Sequence, residues 1–344
     1  MSTTKLFIIT ILSLALWSCG DNPNGKKSSF SITTDAKNNT IALGQTLKLS
    51  IENPKNKTIS GITYKLDAKE IAADFNVKDV RLGEHTLTAT VTYENTSEDA
   101  ATKVTVLNDA APKIYSYRIL NEYPHDITSY TQGLEFHDGI LYESTGQYGK
   151  SKLRKVDYRT GEVLKNINLG SQYFGEGLTI LNNNIYQLTW KENIGLVYDL
   201  DTFERTGSFN YGKSKEGWGL CNDGKVIYKS DGTNNIWKLN PTTLAEEDYM
   251  QVYTNTGKID SLNELEYIDG KIYANIYQRN GVLIINPENG AVEGVIDFSP
   301  LQKLVTQHPS LDVLNGIAYN PDTKTIFVTG KDWDKLFEVE VFVK

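Results

Sequence analysis

The stretch FGEGLT at residues 174–179 returns four more times in altered form, and that recurrence decides the fold. Its five versions are anchored at Gln132-Gly133-Leu134, Glu176-Gly177-Leu178, Trp218-Gly219-Leu220, Asn263-Glu264-Leu265 and Asn315-Gly316-Ile317. The aliphatic residues that end these anchors are 44, 42, 45 and 52 residues apart. An aromatic follows each: Tyr142, Tyr186, Tyr228 and Tyr273 after 8 residues, Phe327 after 10. A third strand then closes on an acid or amide at Asp157, Asp199, Asn240 and Asn286, and an outer strand begins after Thr160-Gly161 and its equivalents. Repeats of about 40–50 residues with four short strands have the period of propeller blades, each needing its neighbours to bury its apolar face. Five of them predict a five-bladed β-propeller over residues 113–344. The fifth has three strands before Lys344, so KIYSYRIL (113–120) is expected to supply its outer strand and remove an open sheet edge. LQKLV (301–305) reads as a short helix on one face.

Upstream the grammar changes. TLKLSI (46–51), ITYKL (62–66) and HTLTATVTY (85–93) alternate apolar and polar residues as half-buried strands do, with turn signals at Gly44, Asn53-Pro54 and Leu82-Gly83-Glu84. Residues 30–110 therefore read as an immunoglobulin-like β-sandwich domain, and the chain as all-β. This segment shows no clustered acids, metal spacing or aromatic patch, so it is expected to act as a spacer or partner surface. Earlier still, Lys5 precedes LFIITILSLAL (6–16), shorter than the roughly 20 apolar residues a membrane-spanning helix needs and built like a secretory signal peptide. LWSCG (16–20) resembles a bacterial lipobox. The expectation is a leader over residues 1–18, a lipid on Cys19 and a polar tether over residues 19–29. The protein would be exported across the inner membrane and held by that lipid at the periplasmic face or cell surface. An ordinary signal peptide with an incidental cysteine is the alternative.

Composition removes several function classes. The chain has 344 residues, and about 150 per domain gives a prior of roughly two domains. A net charge of −8, with no Lys/Arg block, argues against a nucleic-acid partner. Two cysteines exclude a disulfide scaffold and a four-thiolate metal site, and Cys221 reads as a small buried apolar residue. His85, His125, His137 and His308 show no ligand spacing, so no metal is expected.

The chemistry lies where the repeats differ. Two residues before each anchor aliphatic stand Gln132, Glu176, Trp218, Asn263 and Asn315, which begin the innermost strands and should ring one mouth of the axis. The next column is Gly133, Gly177, Gly219, Glu264 and Gly316, where glycine lets strands crowd the axis. Four residues after each second-strand aromatic come Gly146, Trp190, Gly232, Tyr277 and Lys331, at antiparallel strand ends that return to the same mouth. An acid, an amine, three amides and three aromatics thus converge. Gln132 and Asn315 read equally well as groups that bond each other and channel water. Glu176, Trp218 and Lys331 are placed where repeat symmetry alone would not put them. Glu143 and Glu266 read as solvated or structural strand residues, and Asp231 as a turn or network acid near the mouth.

The blocks YTQGLEF (130–136), LYESTGQYGKSKLRKVD (141–157), FGEGLT (174–179), QLTWKENIGLVYD (187–199), GWGL (217–220), KSDGT (229–233), NELEYIDGKIYANIYQ (263–278), DVLNGIAY (312–319) and FVTGK (327–331) resemble the plant and bacterial glutamine cyclotransferase family. The resemblance spans residues 113–344 and touches every repeat. It implies a five-bladed propeller enzyme, an acyltransferase that cyclises N-terminal glutamine of peptides and proteins to pyroglutamate with release of ammonia, without cofactor or metal. It also implies roles. Glu176 matches the acid/base carboxylate, and Lys331 and Asn263 match pocket residues whose chemistry makes them expected catalytic groups. Trp190, Trp218, Tyr277, Phe174 and Tyr130 match pocket walls; the repeat columns, apart from the resemblance, add Gln132 and Asn315 as expected substrate contacts. Tyr277 stands where plant sequences more often have Trp, and Tyr130 where Phe is usual, which bears on substrate preference.

Those residue types suit that reaction. A carboxylate in a partly apolar pocket has a raised pKa and can take a proton from the attacking amine and return it to the leaving nitrogen. Lysine and asparagine can donate to a developing oxyanion. Flat rings can hold the folded, near-attack conformer. The chain is expected to act as a monomer. Two other readings are a surface-anchored propeller that only binds peptides or glycans, and a metal-dependent propeller lactonase or lyase, for which the mouth carries too few carboxylates and histidines.

Overall fold

A computed structural model describes residues 28–344. The expected leader (1–18), the lipidation residue Cys19 and nearly all of the tether lie outside the described residues. Every regular element described is a β-strand except one 3₁₀ turn, Leu301–Lys303, inside the stretch expected to be a short helix.

Three repeats form separate four-stranded antiparallel sheets. Unit one comprises Thr131–His137, Ile140–Thr145, Lys152–Asp157 and Glu162–Asn168. Unit two comprises Gly175–Leu181, Asn184–Thr189, Ile194–Asp199 and Arg205–Asn210. Unit three comprises Leu220–Asn222, Ile227–Ser230, Asn235–Leu239 and Glu246–Gln251. Unit four (Leu262–Ile268, Lys271–Ile276, Gly281–Ile285, Val292–Asp297) and unit five (Leu314–Asn320, Thr325–Gly330, Lys335–Val343) share an eight-stranded sheet through Lys113–Pro124. That strand runs parallel to Val292–Asp297 and antiparallel to Lys335–Val343, from Tyr115↔Val343 to Pro124↔Lys335. The outer strand expected over 113–120 is therefore present and runs on to Pro124.

Local sequence explains the hairpins. Asp138-Gly139, Asn182-Asn183 and Asp269-Gly270 sit at positive φ between first and second strands, the backbone that tight hairpin turns need. The acid or amide ending each third strand caps the next turn. Asp157, Asp199, Asn240 and Asn286 each accept at a side-chain oxygen from an N–H two residues on, at Arg159, Asp201, Thr242 and Glu288.

The first strands of the five units touch in a closed cycle, one to the next and unit five back to unit one. Their glycines make this approach possible. A Cβ on Gly133 would stand 2.6 Å from the Leu178 amide nitrogen, one on Gly177 2.6 Å from Gly219 Cα, and one on Gly219 2.2 Å from the Asn263 carbonyl. Glu264, the one acid in this column, spans the hub and accepts from the Leu134 and Ile317 amides.

Before the repeats, a five-stranded and a three-stranded sheet enclose one apolar core that includes Leu47, Val77, Leu87 and Val106. Tyr253 and Ala291, from loops of units three and four, complete that core. The contact is also polar. Arg81 pairs with Asp248, the Leu82 and Asn108 amides donate to Asn289 and Thr254 carbonyls, and the Glu84 amide donates to Gln251 Oε1. Leu82-Gly83-Glu84, expected as a simple turn, is thus part of this junction. Gly83 has φ +114 and its Cα hydrogen faces Gln251.

Candidate active site

At the mouth of the hub a pocket of about 220 Å³ is lined by Tyr130, Gln132, Phe174, Glu176, Trp190, Trp218, Asn263, Tyr277 and Lys331. Nine of the ten pocket residues expected from the sequence meet there. Asn315, the tenth, is not in the lining. It is fully buried and donates to the Thr131 carbonyl and to Gln132 Oε1, so it acts behind Gln132.

The only acid in the lining is Glu176, 4% exposed. Gln132 Nε2 donates to its Oε1 at 3.3 Å, while Oε2 is buried with no partner. Burial pushes this carboxyl well above the usual range. Lys331 pulls the other way, and Glu216 and Glu192 add to the rise. Lys331, 2% exposed, has its Nζ over the Tyr130 ring at 4.6 Å and the Tyr277 ring at 5.2 Å. Burial lowers its pKa, and Glu176, Asp312 and Asp332 partly restore it. Asn263 Oδ1 is likewise buried without a partner. Unpaired polar atoms in a buried pocket are groups waiting for a ligand's donors or acceptors.

The walls are two aromatic sets. Phe174 packs edge-on to Tyr130 at 6.2 Å and against Trp190 at 5.5 Å, and Trp218 packs edge-on to Tyr277 at 5.4 Å. The glycines of the column headed by Gly146 make room for them: a Cβ on Gly146 would fall 2.4 Å from Phe174 Cε1, and one on Gly232 2.5 Å from Trp218 Cε2. The hydroxyl that distinguishes Tyr130 from Phe donates to Asp312 Oδ2 at 2.9 Å.

Behind these walls lies a supporting network whose partners the sequence spacing does not predict. Glu143, buried, accepts from Thr131 Oγ1 at 2.8 Å and Ser129 Oγ at 3.3 Å, which flank Tyr130, and meets His125 Nε2 at 3.1 Å. Arg154 joins it to Asp126. Of the two earlier readings, Glu143 is therefore structural rather than solvated. So is Glu266, which is buried and accepts from the Tyr319 amide. Asp231 accepts from Thr233 and from Trp237 Nε1, and Cys221 is a buried free thiol in an apolar cluster. Among the described residues no three His, Cys, Asp or Glu side chains gather as a metal would require.

Comparison with known proteins places the chain in a family. The family model described as glutamine cyclotransferase matches residues 87–341. The chain belongs to the glutamine cyclotransferase family. The match begins inside the N-terminal sheets, upstream of the region the sequence blocks had covered. Glutaminyl-peptide cyclotransferase of Arabidopsis thaliana is 40% identical over 236 residues, 68% of this chain and 73% of the plant protein. The crystal structure of Myxococcus xanthus glutaminyl cyclase superposes with a TM-score of 0.63 at 37% identity, covering 68% of this chain and 99% of that one.

Proposed function

We propose that this member of the family is a glutaminyl-peptide cyclotransferase that converts N-terminal glutamine of peptides and proteins to pyroglutamate and ammonia. The observation that carries the reading is Glu176: one buried carboxylate with an unpartnered oxygen, set among aromatic rings and facing a buried amine.

The steps follow from these groups. The substrate's neutral α-amine attacks Cδ of its own side-chain carboxamide, forming the C–N bond of the lactam. Glu176 takes the proton the amine loses. Lys331 and Asn263 donate to the carboxamide oxygen as it becomes an oxyanion, where one such donor is worth on the order of 3 kcal/mol. The Cδ–Nε2 bond then breaks as Glu176 returns the proton to the leaving nitrogen, which departs as ammonia. Both reacting groups belong to one residue, so Phe174, Trp190, Trp218 and Tyr277 act by holding it folded, and Gln132 and Asn315 by orienting Glu176. Every charge that develops has a side-chain partner, so no step is assigned to a metal or cofactor.

The same proposal treats residues 113–344 as a five-bladed propeller, supported by the closed cycle of first strands, and residues 30–110 as an immunoglobulin-like sandwich fixed to its edge. It also keeps export and a lipid on Cys19, on the sequence of residues 1–20. The test is incubation of the purified protein with a Gln-initiated peptide. Loss of one ammonia from the peptide, with the same peptide starting in Asn or N-acetylated left unchanged, is the expected result. A peptide bound but returned intact would replace the enzyme by a binding module.

A further inference from the structure

Trp190 follows the second strand of unit two and Trp218 precedes the first strand of unit three, so the two largest rings of the pocket come from different units. One carboxylate joins them. Glu216 Oε2 accepts from Trp190 Nε1 at 2.7 Å and from Trp218 Nε1 at 2.9 Å. The backbone supports the same junction, since the Gly217 amide donates to the Trp190 carbonyl at 3.0 Å.

Glu216 is itself held from below. Lys229, fully buried in unit three, donates from Nζ to the Glu216 carbonyl at 2.9 Å, to Ser214 Oγ and to Glu246 Oε1 at 3.3 Å. Glu246 Oε2 accepts the amides of Lys213 at 2.7 Å and Ser214 at 3.0 Å. A buried ion pair thereby fixes residues 213–216, a segment with no strand of its own. A buried Lys–Glu pair is costly to desolvate and poor as a stabiliser compared with apolar packing. Its placement under this segment gives it a different use, which is to aim one carboxylate.

We propose that Glu216 is a positioning residue for the cyclisation: it locks the Trp190 and Trp218 walls together across two units and sets a carboxylate behind the pocket that holds Glu176. This rests on the function proposed above. Charge-assisted hydrogen bonds are roughly twice as strong as neutral ones, so two indoles on one carboxylate oxygen form a stiff clamp. The charge has a second effect. Three charged groups act on Glu176, namely Lys331 from unit five, Glu216 from the segment before unit three and Glu192 from unit two, and Glu176 in turn acts on the hydroxyls of Tyr130, Tyr148 and Tyr211. Lys331 favours the ionised form of Glu176, whereas Glu216 and Glu192 disfavour it. Glu216 therefore helps keep Glu176 basic enough to take a proton.

The test compares Glu216→Gln, which keeps an acceptor and removes the charge, with Glu216→Ala, which removes both. The acidic limb of the kcat–pH profile is expected to move to lower pH in Glu216→Gln by roughly one unit, the scale of a lost like-charge neighbour. Glu216→Ala should lower kcat/KM by about tenfold or more, as expected when pocket walls lose their register. Independently of turnover, two tryptophan indole N–H resonances should sit downfield in the wild type and move in both variants. A Glu216→Gln profile superimposed on the wild type would overturn the electrostatic role, and unmoved indole resonances would overturn the clamp. Should the wild type itself release no ammonia, the proposed activity fails, and the resonances still decide whether Glu216 holds the walls.

Discussion

Gln132 donates to one oxygen of Glu176 and leaves the other buried and unpaired, so the carboxylate is oriented but not satisfied. The fold tolerates this at a cost. A carboxyl whose pKa is raised in the folded state favours folding fully only below its unfolded value near 4.5, and that contribution is lost as pH rises toward the folded value. Glu176→Gln removes the cost together with the base. Ammonia release is expected to fall by at least about a hundredfold, the lower end of what general acid–base groups supply. The melting temperature near neutral pH should stay level or rise. Near-normal turnover in this variant would remove Glu176 from the mechanism.

The pH profile should carry the same signature. kcat reports ionisations within the enzyme–substrate complex. It is expected to rise with pH through a group titrating well above 4.5, as Glu176 becomes a base. It should fall again below 10.5 as Lys331, lowered by burial, loses its proton and its donor capacity. An acidic limb at the ordinary carboxylate value would contradict the buried-base reading.

Lys331→Met keeps the unbranched apolar stem of the side chain and removes the donor. Losing one oxyanion donor costs on the order of 3 kcal/mol, so kcat should drop by about 10²–10³ while KM moves far less. Asn263→Ala should act in the same sense. A variant altered only in KM would make these residues binders of the ground state.

Gly232→Ala tests the space given to Trp218. The position has φ +78, and its added Cβ would stand 2.5 Å from the indole, so the ring must move. kcat/KM is expected to fall by up to ~10²-fold, as a misplaced wall residue can cause. Circular dichroism should show the sheets intact. Unchanged kinetics would show that Trp218 can shift without consequence.

The support under Tyr130 should govern stability. Burial alone would push Glu143 up, yet His125, then Arg154 and Thr131, hold it below the usual carboxylate range. Burial would lower His125, and Glu143 outweighs it, so the imidazole is raised. The His125 contribution is present below about 6.5 and lost as pH rises through the folded value; the Glu143 contribution is present above about 4.5 and lost as pH falls through its own. Urea unfolding should therefore show greatest benefit from this pair between those limits. Glu143→Ala, which strands a buried cation, should cost about 3–5 kcal/mol.

Much of this site was legible because a repeated fold turns sequence position into spatial position. The columns headed by Gln132 and Gly146 follow from strand length and antiparallel return, and both reach the mouth as expected. Asn315 obeys the same rule but its carboxamide turns to the Thr131 carbonyl, a choice among rotamers that spacing does not encode. Glu216, Lys229 and Glu246 were invisible for a different reason. Each occurs once, with no counterpart in the other units, and their meeting depends on how a loop of unit three folds against its own strands. The junction through Tyr253 and Ala291 was hidden likewise, since two apolar loop residues carry no sign of which core they will enter. Gly146 and Gly232 stand in a column read from the sequence, and only the rings beside them explain the absence of side chains there.

The pairing of Lys113–Pro124 with Lys335–Val343 has a consequence for biosynthesis. Domains begin folding from the N-terminus while still on the ribosome. Here the strand made first in this domain has one edge waiting for the strand made last. Until residue 343 has left the ribosome the ring stays open, with an unpaired edge available to neighbouring nascent chains. Completion of the pocket, which draws Lys331 from the fifth unit, thus waits until that unit has been made.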